Sequence, residues 1–267
     1  MAAEKERAKQ SAGGSGVDAS DLHLCHRFTN SAGRTLCASL DPGGVLGQTS
    51  NLLIRHLSGD HLVLVDAPCG GGPAALSFID VLCELRAQGL LPTLPIRIQL
   101  LAGDFSERSR DHFNTLLGLM SPEWAKRGIR VYADVFHWDL SDANSNAEFV
   151  DRVVAAAQHN VPVLAIAANF NDALSDRILR EAYEHFISQL VGRLRDYPYS
   201  LCWIEPISNK ARRFLDPLLD FVKRFLPFLR SEQIPPFEAQ FGMTDLLDGA
   251  QFRSGVLVKV LEAGRTA

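Results

Sequence analysis

An acid, three glycines and a proline separate an apolar stretch from the start of an amphipathic one in HLVLVDAPCGGGPAAL, residues 61–76. Leu62 to Val65 is short, apolar and β-branched, the composition of a strand buried on both faces. Asp66 closes it. Gly70, Gly71 and Gly72 let the backbone turn sharply and let a ligand come close, and Pro73 suits the first position of a helix. A strand, a glycine turn and a helix N-terminus together offer backbone N–H groups and a positive dipole end to a bound molecule. Gly70-x-Gly72-x-x-Ala75 also matches the dinucleotide fingerprint, which makes a dinucleotide-dependent oxidoreductase one alternative. In that fingerprint the first glycine sits at the strand end, whereas here Asp66 and three further residues intervene. No GKS or GKT follows the glycines, which excludes a phosphate loop.

Other residues able to do chemistry follow later apolar runs. Asp104 in AGDFS and Asp139 in FHWDLSD are carboxylates at such ends; Asp104 is equally suited to capping the next helix, and Asp139 to forming a turn with Ser141 and Asp142. Asn169, Asn171 and Asp172 place three hydrogen-bonding side chains directly after a buried run, with helix capping as the competing role for the last two. His137 and Glu205 are further crevice candidates, but neither has a metal-ligand spacing such as HExxH, and no metal is expected. Lys210, Arg212, Arg213, Lys223, Arg224 and Arg230 could meet phosphates. Asp216 and Asp220 among them favour a solvated helix face.

The elements that must position these groups alternate. Strands are predicted at Leu62–Val65, Ile96–Ala102, Ile129–Ala133, Val161–Ala168 and Tyr199–Ile204. Between them run helices with apolar faces at Leu76/Ile79/Leu82, Phe113/Leu117/Met120, Phe149/Val150/Val153 and Leu179/Phe186/Leu190. Ser145 and Glu148 have the spacing of a capping box. Before the first strand, a short helix is predicted within Val17–Phe28, a loop over Thr29–Gly47 because of Gly33, Pro42, Gly43, Gly44 and Gly47, and a helix over Gln48–Leu57. Pro217 is expected to kink a helical stretch between Ser208 and Leu226 or divide it into two successive helices, with Asp216 as a cap. Phe237–Phe241 and Val256–Leu261 then read as two strands joined by about 14 residues, too few for a parallel crossover. The expected fold is α/β: a doubly wound, mostly parallel seven-stranded sheet with an antiparallel C-terminal hairpin.

Of 267 residues, 46 % are hydrophobic and 22 % charged, ordinary values for a globular chain, and the net charge of −4 gives no global attraction to nucleic acid. Five scattered cysteines without a CxxC pair indicate neither a disulfide framework nor a zinc knuckle and fit a reducing, cytoplasmic setting. Residues 1–16 are polar and glycine-rich and read as a disordered tail, residues 17–57 as a cap and residues 58–267 as the α/β domain. No apolar run reaches the length of a membrane span.

The order of elements and the acid before a GxG turn resemble the class I S-adenosylmethionine-dependent methyltransferases over residues 48–262. The family's acid-x-Gly-x-Gly-x-Gly stands here as Asp66, Ala67, Pro68, Cys69, Gly70, Gly71, Gly72, with proline in place of the first glycine. The resemblance implies S-adenosylmethionine as cofactor, with Asp66 orienting the amino group of its methionine part and Cys69, Gly70, Gly71 and Gly72 packing against it. It implies Asp104 on the ribose hydroxyls, Asp139 and the Leu140 backbone on the adenine edge, and Phe105 or Trp138 against the ring. Cys69, which a helix N-terminus could activate as a thiolate, is by the same resemblance a small residue against the cofactor. Asn169 would line the passage between methyl group and substrate, with Asp172 beside it as the second catalytic candidate. The methyl acceptor stays open among small molecule, protein and RNA. A methyltransferase fold that has lost catalysis and binds a partner is the remaining alternative.

Overall fold

The computed structural model describes residues 17–158, 161–170, 174, 176–208, 237–244, 249 and 251–263. Seven strands, β1 (His61–Asp66), β2 (Ile96–Asp104), β3 (Ile129–His137), β4 (Val163–Ala168), β5 (Tyr199–Pro206), β6 (Phe237–Thr244) and β7 (Gln251–Ala263), form one sheet in the order β3-β2-β1-β4-β5-β7-β6. β1 to β5 pair in parallel, and β7 runs antiparallel to both β5 and β6. The strand order turns back between β1 and β4, the place where open α/β sheets form a ligand crevice at their carboxyl ends.

Strict alternation explains why β1 and β4 are apolar throughout. Val63, Val65, Val163 and Ala165 face one core with Phe149 and Val153 of a helix at Ala143–Ala156 (α5) and Phe186 and Leu190 of one at Arg177–Leu194 (α6). Leu62, Leu64, Leu164 and Ile166 face the other core, built with Phe78 of a helix at Pro73–Ala87 (α3) and Phe113 and Trp124 of one at Glu107–Lys126 (α4). Both faces of the sheet are therefore buried, as parallel crossovers require.

The chain before β1 departs from expectation. One helix, α1, spans Val17–Leu40, so Thr29–Leu40 is helix and not loop. Tertiary packing overrides a modest propensity here: Ser31, Thr35, Cys37, Ala38 and Ser39 are buried, and a Cβ on Gly33 would lie 2.1 Å from the Met243 sulfur. The glycine permits close approach to the hairpin. The loop proper starts at Asp41 (φ 45°), whose carboxylate accepts from the N–H groups of Val45, Leu46 and Gly47 before α2 (Gln48–His56) begins.

Other differences are smaller. Asp142, not Ser145, caps α5, accepting from Asn144 N at 2.9 Å. β2, β3 and β5 run two to four residues further than predicted, carrying their terminal acids into the sheet. The hairpin strands extend to Thr244 and from Gln251, paired with each other, so the connection is six residues and not about 14. The predicted kink at Pro217 lies outside the described residues. Among the described residues no helix is long and apolar enough to cross a membrane.

Candidate functional site

β1 delivers Asp66 to the start of α3 with the side chain 1 % exposed. Its Oδ2 accepts from Ala75 N at 3.2 Å, which satisfies an N–H of the first helical turn; its Oδ1 is buried without a hydrogen-bond partner among the described residues. Burial drives this carboxyl well above its ordinary pKa; the Ala75 N–H opposes that and the Asp104 charge adds to it. A half-satisfied buried carboxylate costs stability unless a donor or cation meets it.

The turn that follows is braced on every side. Cys69 N donates to Gly103 O at 3.0 Å, Gly72 N to Cys69 O at 2.8 Å, and Gly70 N to Asp104 Oδ2 at 2.8 Å. Gly70 (φ 52°) and Gly72 (φ 82°) take left-handed conformations, and a Cβ on Gly72 would fall 2.3 Å from the Phe113 ring. Leu24 and Phe28 of α1 lie over Gly71. Cys69 is buried, and burial together with the Asp104 and Asp66 charges pushes its thiol well up, the opposite of an activated thiolate.

Asp104 ends β2 with both oxygens engaged, Oδ2 by Gly70 N and Oδ1 by Ser106 N at 2.8 Å. It does not cap α4; Ser106 does, accepting from Ser109 N. Burial raises the Asp104 pKa, against the two N–H groups and the charges of Arg110 and His137. Each carboxylate oxygen still has a second lone pair. Phe105 next to it is 55 % exposed, and its ring centroid lies 5.4 Å from that of His137 at the end of β3.

Trp138 and Asp139 behave differently from that exposed pair. Trp138 is buried, its indole N–H donating to Asn146 at 2.8 Å, so it belongs to the core and leaves Phe105 as the ring-facing candidate. Asp139 forms the turn that its neighbours permit, with Oδ1 accepting from Ser141 N at 2.9 Å and from Ser141 Oγ at 2.7 Å. Leu140 is buried, its carbonyl accepting from Asn146 Nδ2.

Across the switch point, β4 delivers Asn169, among the described residues the one site candidate with a positive φ that is not glycine (57°). Its N–H donates to Ile204 O at 2.9 Å, its Oδ1 accepts from Arg34 Nη1, and its Nδ2 is buried without a partner among the described residues. Arg34 also donates through Nε to Gly255 O at 3.3 Å. Glu205, 1 % exposed at the end of β5, accepts from Phe170 N at 3.0 Å. Burial lowers the Arg34 pKa and the Glu205 charge supports its cation. Asn171 and Asp172 lie outside the described residues, as does the basic run from Lys210 to Arg230.

Arg34 was not legible as a site residue because it falls where a loop is expected; the signal for it was the helical spacing of Leu24, Phe28, Ser31, Thr35 and Ala38. α1 crosses the crevice and is tied down at its far end. Asp21 accepts from Arg108 Nε at 2.8 Å, with His112 Nε2 at 2.7 Å, and these partners hold its pKa down at about 2. Ser20 and Ser106 hydroxyls add a bond of 2.8 Å.

No family model matches the sequence, and no curated protein matches it. Solved structures do align. A protein from the conversion of a disulfide bond into a thioacetal group during echinomycin biosynthesis has a TM-score of 0.41 and 13 % identity, over 81 % of this chain and 82 % of that one. A Legionella pneumophila protein has 0.41 and 10 %, over 86 % and 85 %. An O-methyltransferase from Bacillus cereus, solved with S-adenosylhomocysteine (SAH), has 0.32 and 12 %, over 86 % and 90 %. The strand order itself, five parallel strands turning back at β1/β4 and closed by an inserted antiparallel β7, defines a class I methyltransferase-like fold.

Proposed function

We propose that the chain is an S-adenosylmethionine-dependent methyltransferase. The observation that carries the reading is Asp66: a buried carboxylate with one bare oxygen, beside two glycines in left-handed conformations, at the carboxyl end of the central strand. The α-ammonium of the cofactor's methionine part supplies both the donor and the positive charge that this oxygen lacks. The residues fit the rest of the group as well. Asp104 has lone pairs left for two ribose hydroxyls, the exposed Phe105 and adjacent His137 give adenine an apolar face, and Asp139 with the Leu140 backbone edges it. Gly70, half-buried and bonded to Asp104, is the turn residue left to face the cofactor, with Cys69, Gly71 and Gly72 buried.

When bound, the cofactor supplies an electrophilic methyl on a sulfonium. The chain's own part is positioning and exclusion of water, which for an in-line displacement can carry much of the rate. Asn169 lines the passage toward the acceptor, and its buried Nδ2–H is a donor held in place by Arg34. Asp172, three residues further along the sequence, is the candidate base for an acceptor that must first lose a proton. The acceptor stays open among small molecule, protein and RNA. The five free cysteines suit the cytoplasm.

The test is transfer of tritiated methyl from S-adenosylmethionine into small-molecule, protein and RNA fractions of a cell extract. Label in one fraction, lost with Asp66→Ala, is the expected result. No label in any fraction with the wild-type protein overturns the reading.

A further inference from the structure

Among the described residues, the α1 side of the crevice holds a cation that no described carboxylate meets. His23, Arg27, Asn30 and Arg34 fall at i, i+4, i+7 and i+11 on α1, and so share one face of that helix. The face borders the crevice, since Leu24 and Phe28 beside it lie over Gly71 and Arg34 reaches Asn169. Arg34 has a counter-charge in Glu205. Arg27 is half-buried and makes no ion pair or hydrogen bond with another described residue. Its charge is felt by both neighbours on the stripe, where it opposes protonation of His23 and of Arg34. The nearest acid on α1, Asp21, is taken by Arg108 and His112.

A half-buried guanidinium without a carboxylate, one helical face away from the cofactor turn, is an arrangement that an anion completes. Among the described residues of this face, Glu205 supports Arg34 and no carboxylate meets Arg27. Asn169 adds a buried N–H donor facing the same end of the sheet. We propose that Arg27, with Arg34 and Asn169, forms a subsite for an anionic group, a carboxylate or a phosphate, on the methyl acceptor. The subsite extends the methyltransferase reading and assigns the N-terminal helix a share in choosing the substrate.

The test uses the full-length protein, free and saturated with SAH, titrated calorimetrically with benzoate, phenyl phosphate and the neutral benzamide. At least one anion binds about tenfold or more tightly than benzamide, and Arg27→Gln removes that preference. Arg27→Lys, which keeps the charge and loses the fork, restores part of it, and melting curves of both variants report folding. A preference for phenyl phosphate over benzoate assigns a phosphate, the reverse a carboxylate. Equal binding of the three probes, binding of none, or an anion preference that survives Arg27→Gln overturns the proposal. Should SAH fail to bind while the anion preference holds in the free protein, the subsite stands and its assignment to a methyl acceptor falls.

Discussion

The ends of two neighbouring strands, β1 and β4, are left incomplete in opposite senses. At the end of β1 the unmatched buried atom is a carboxylate oxygen of Asp66, which calls for a donor with positive charge. At the end of β4 it is the amide nitrogen of Asn169, which calls for an acceptor. The supports differ too. Asp66 and its glycine turn are braced by Gly103 O and the Asp104 carboxylate of β2, by packing on Phe113, and by Leu24 and Phe28 over Gly71. Asn169, in a left-handed conformation, is tied to β5 by its N–H on Ile204 O, while its side chain is held by Arg34, from a helix that crosses the sheet from outside it. One end is built as a fixed cradle, the other as an adjustable contact. A cofactor used in every turnover and a substrate set by a single helix would divide the crevice in that way.

The rigid half breaks hardest. Gly72→Ala puts a methyl 2.3 Å from the Phe113 ring at φ 82°. Overpacking (~1–3 kcal/mol) and left-handed strain (~1–2 kcal/mol) sum to about 3 kcal/mol, a fall in Tm of about 10 °C by thermal melting. Gly70→Ala, at φ 52° with open space around its Cβ, has only the strain, so its fall is under half as large.

The adjustable half gives less. Asn169→Ala loses the Arg34 bond and keeps the unfavourable φ, for about 2 kcal/mol in denaturant unfolding. SAH affinity in that variant stays within about threefold of wild type, roughly 0.7 kcal/mol. A loss as large as that of an Asp66 variant would erase the distinction between the two ends.

Asp66→Asn moves the opposite way on stability. The folded-state pKa of Asp66 is raised, so ionising it costs stability as pH climbs from 3.8 toward the folded value. The amide removes that cost and still accepts from Ala75 N–H. Tm rises by about 2–4 °C at neutral pH, roughly 1 kcal/mol, and the gain shrinks below pH 4.

At neutral pH the smallest effect comes from the amino end of the sheet, which serves as the control. His56 Nε2 pairs with Ser200 Oγ at 2.9 Å, and burial, helped by the Arg55 charge, lowers its pKa from 6.5 to about 4. The unfolded chain therefore binds the proton first, and stability is lost as pH falls from 6.5 through about 4. His56→Gln flattens this part of the pH–stability curve without changing SAH binding.

The parallel half was legible because both its signals are local. Unbroken apolar runs at Leu62–Val65 and Val163–Ala168 mark strands buried on both sides, and Asp66 with Gly70–Gly72 marks the turn between strand and helix. Phe105 and Asn169 fall where their neighbours in sequence put them. Non-local packing hid the rest. Gly33 reads as a loop signal until Met243, over two hundred residues away, occupies the space a Cβ would fill. The part of α1 that carries Arg34 was lost with it. Trp138 and Asp139 both lie after β3, yet their roles were decided by Asn146 and Ser141, which turned one into core and the other into a turn. The hairpin connection is shorter than expected because β6 continues past Phe241 and β7 starts before Val256, with Gly255 facing the Ile207 side chain.

The most direct test of the account is calorimetric titration of SAH, with NAD as the comparison ligand, into the wild-type protein and Asp66→Asn. Micromolar SAH binding by the wild type, no response to NAD, and a loss of at least about a hundredfold in an Asp66→Asn protein that melts no lower than wild type is the predicted result. SAH binding that is absent in the wild type, or unchanged in Asp66→Asn, would contradict it.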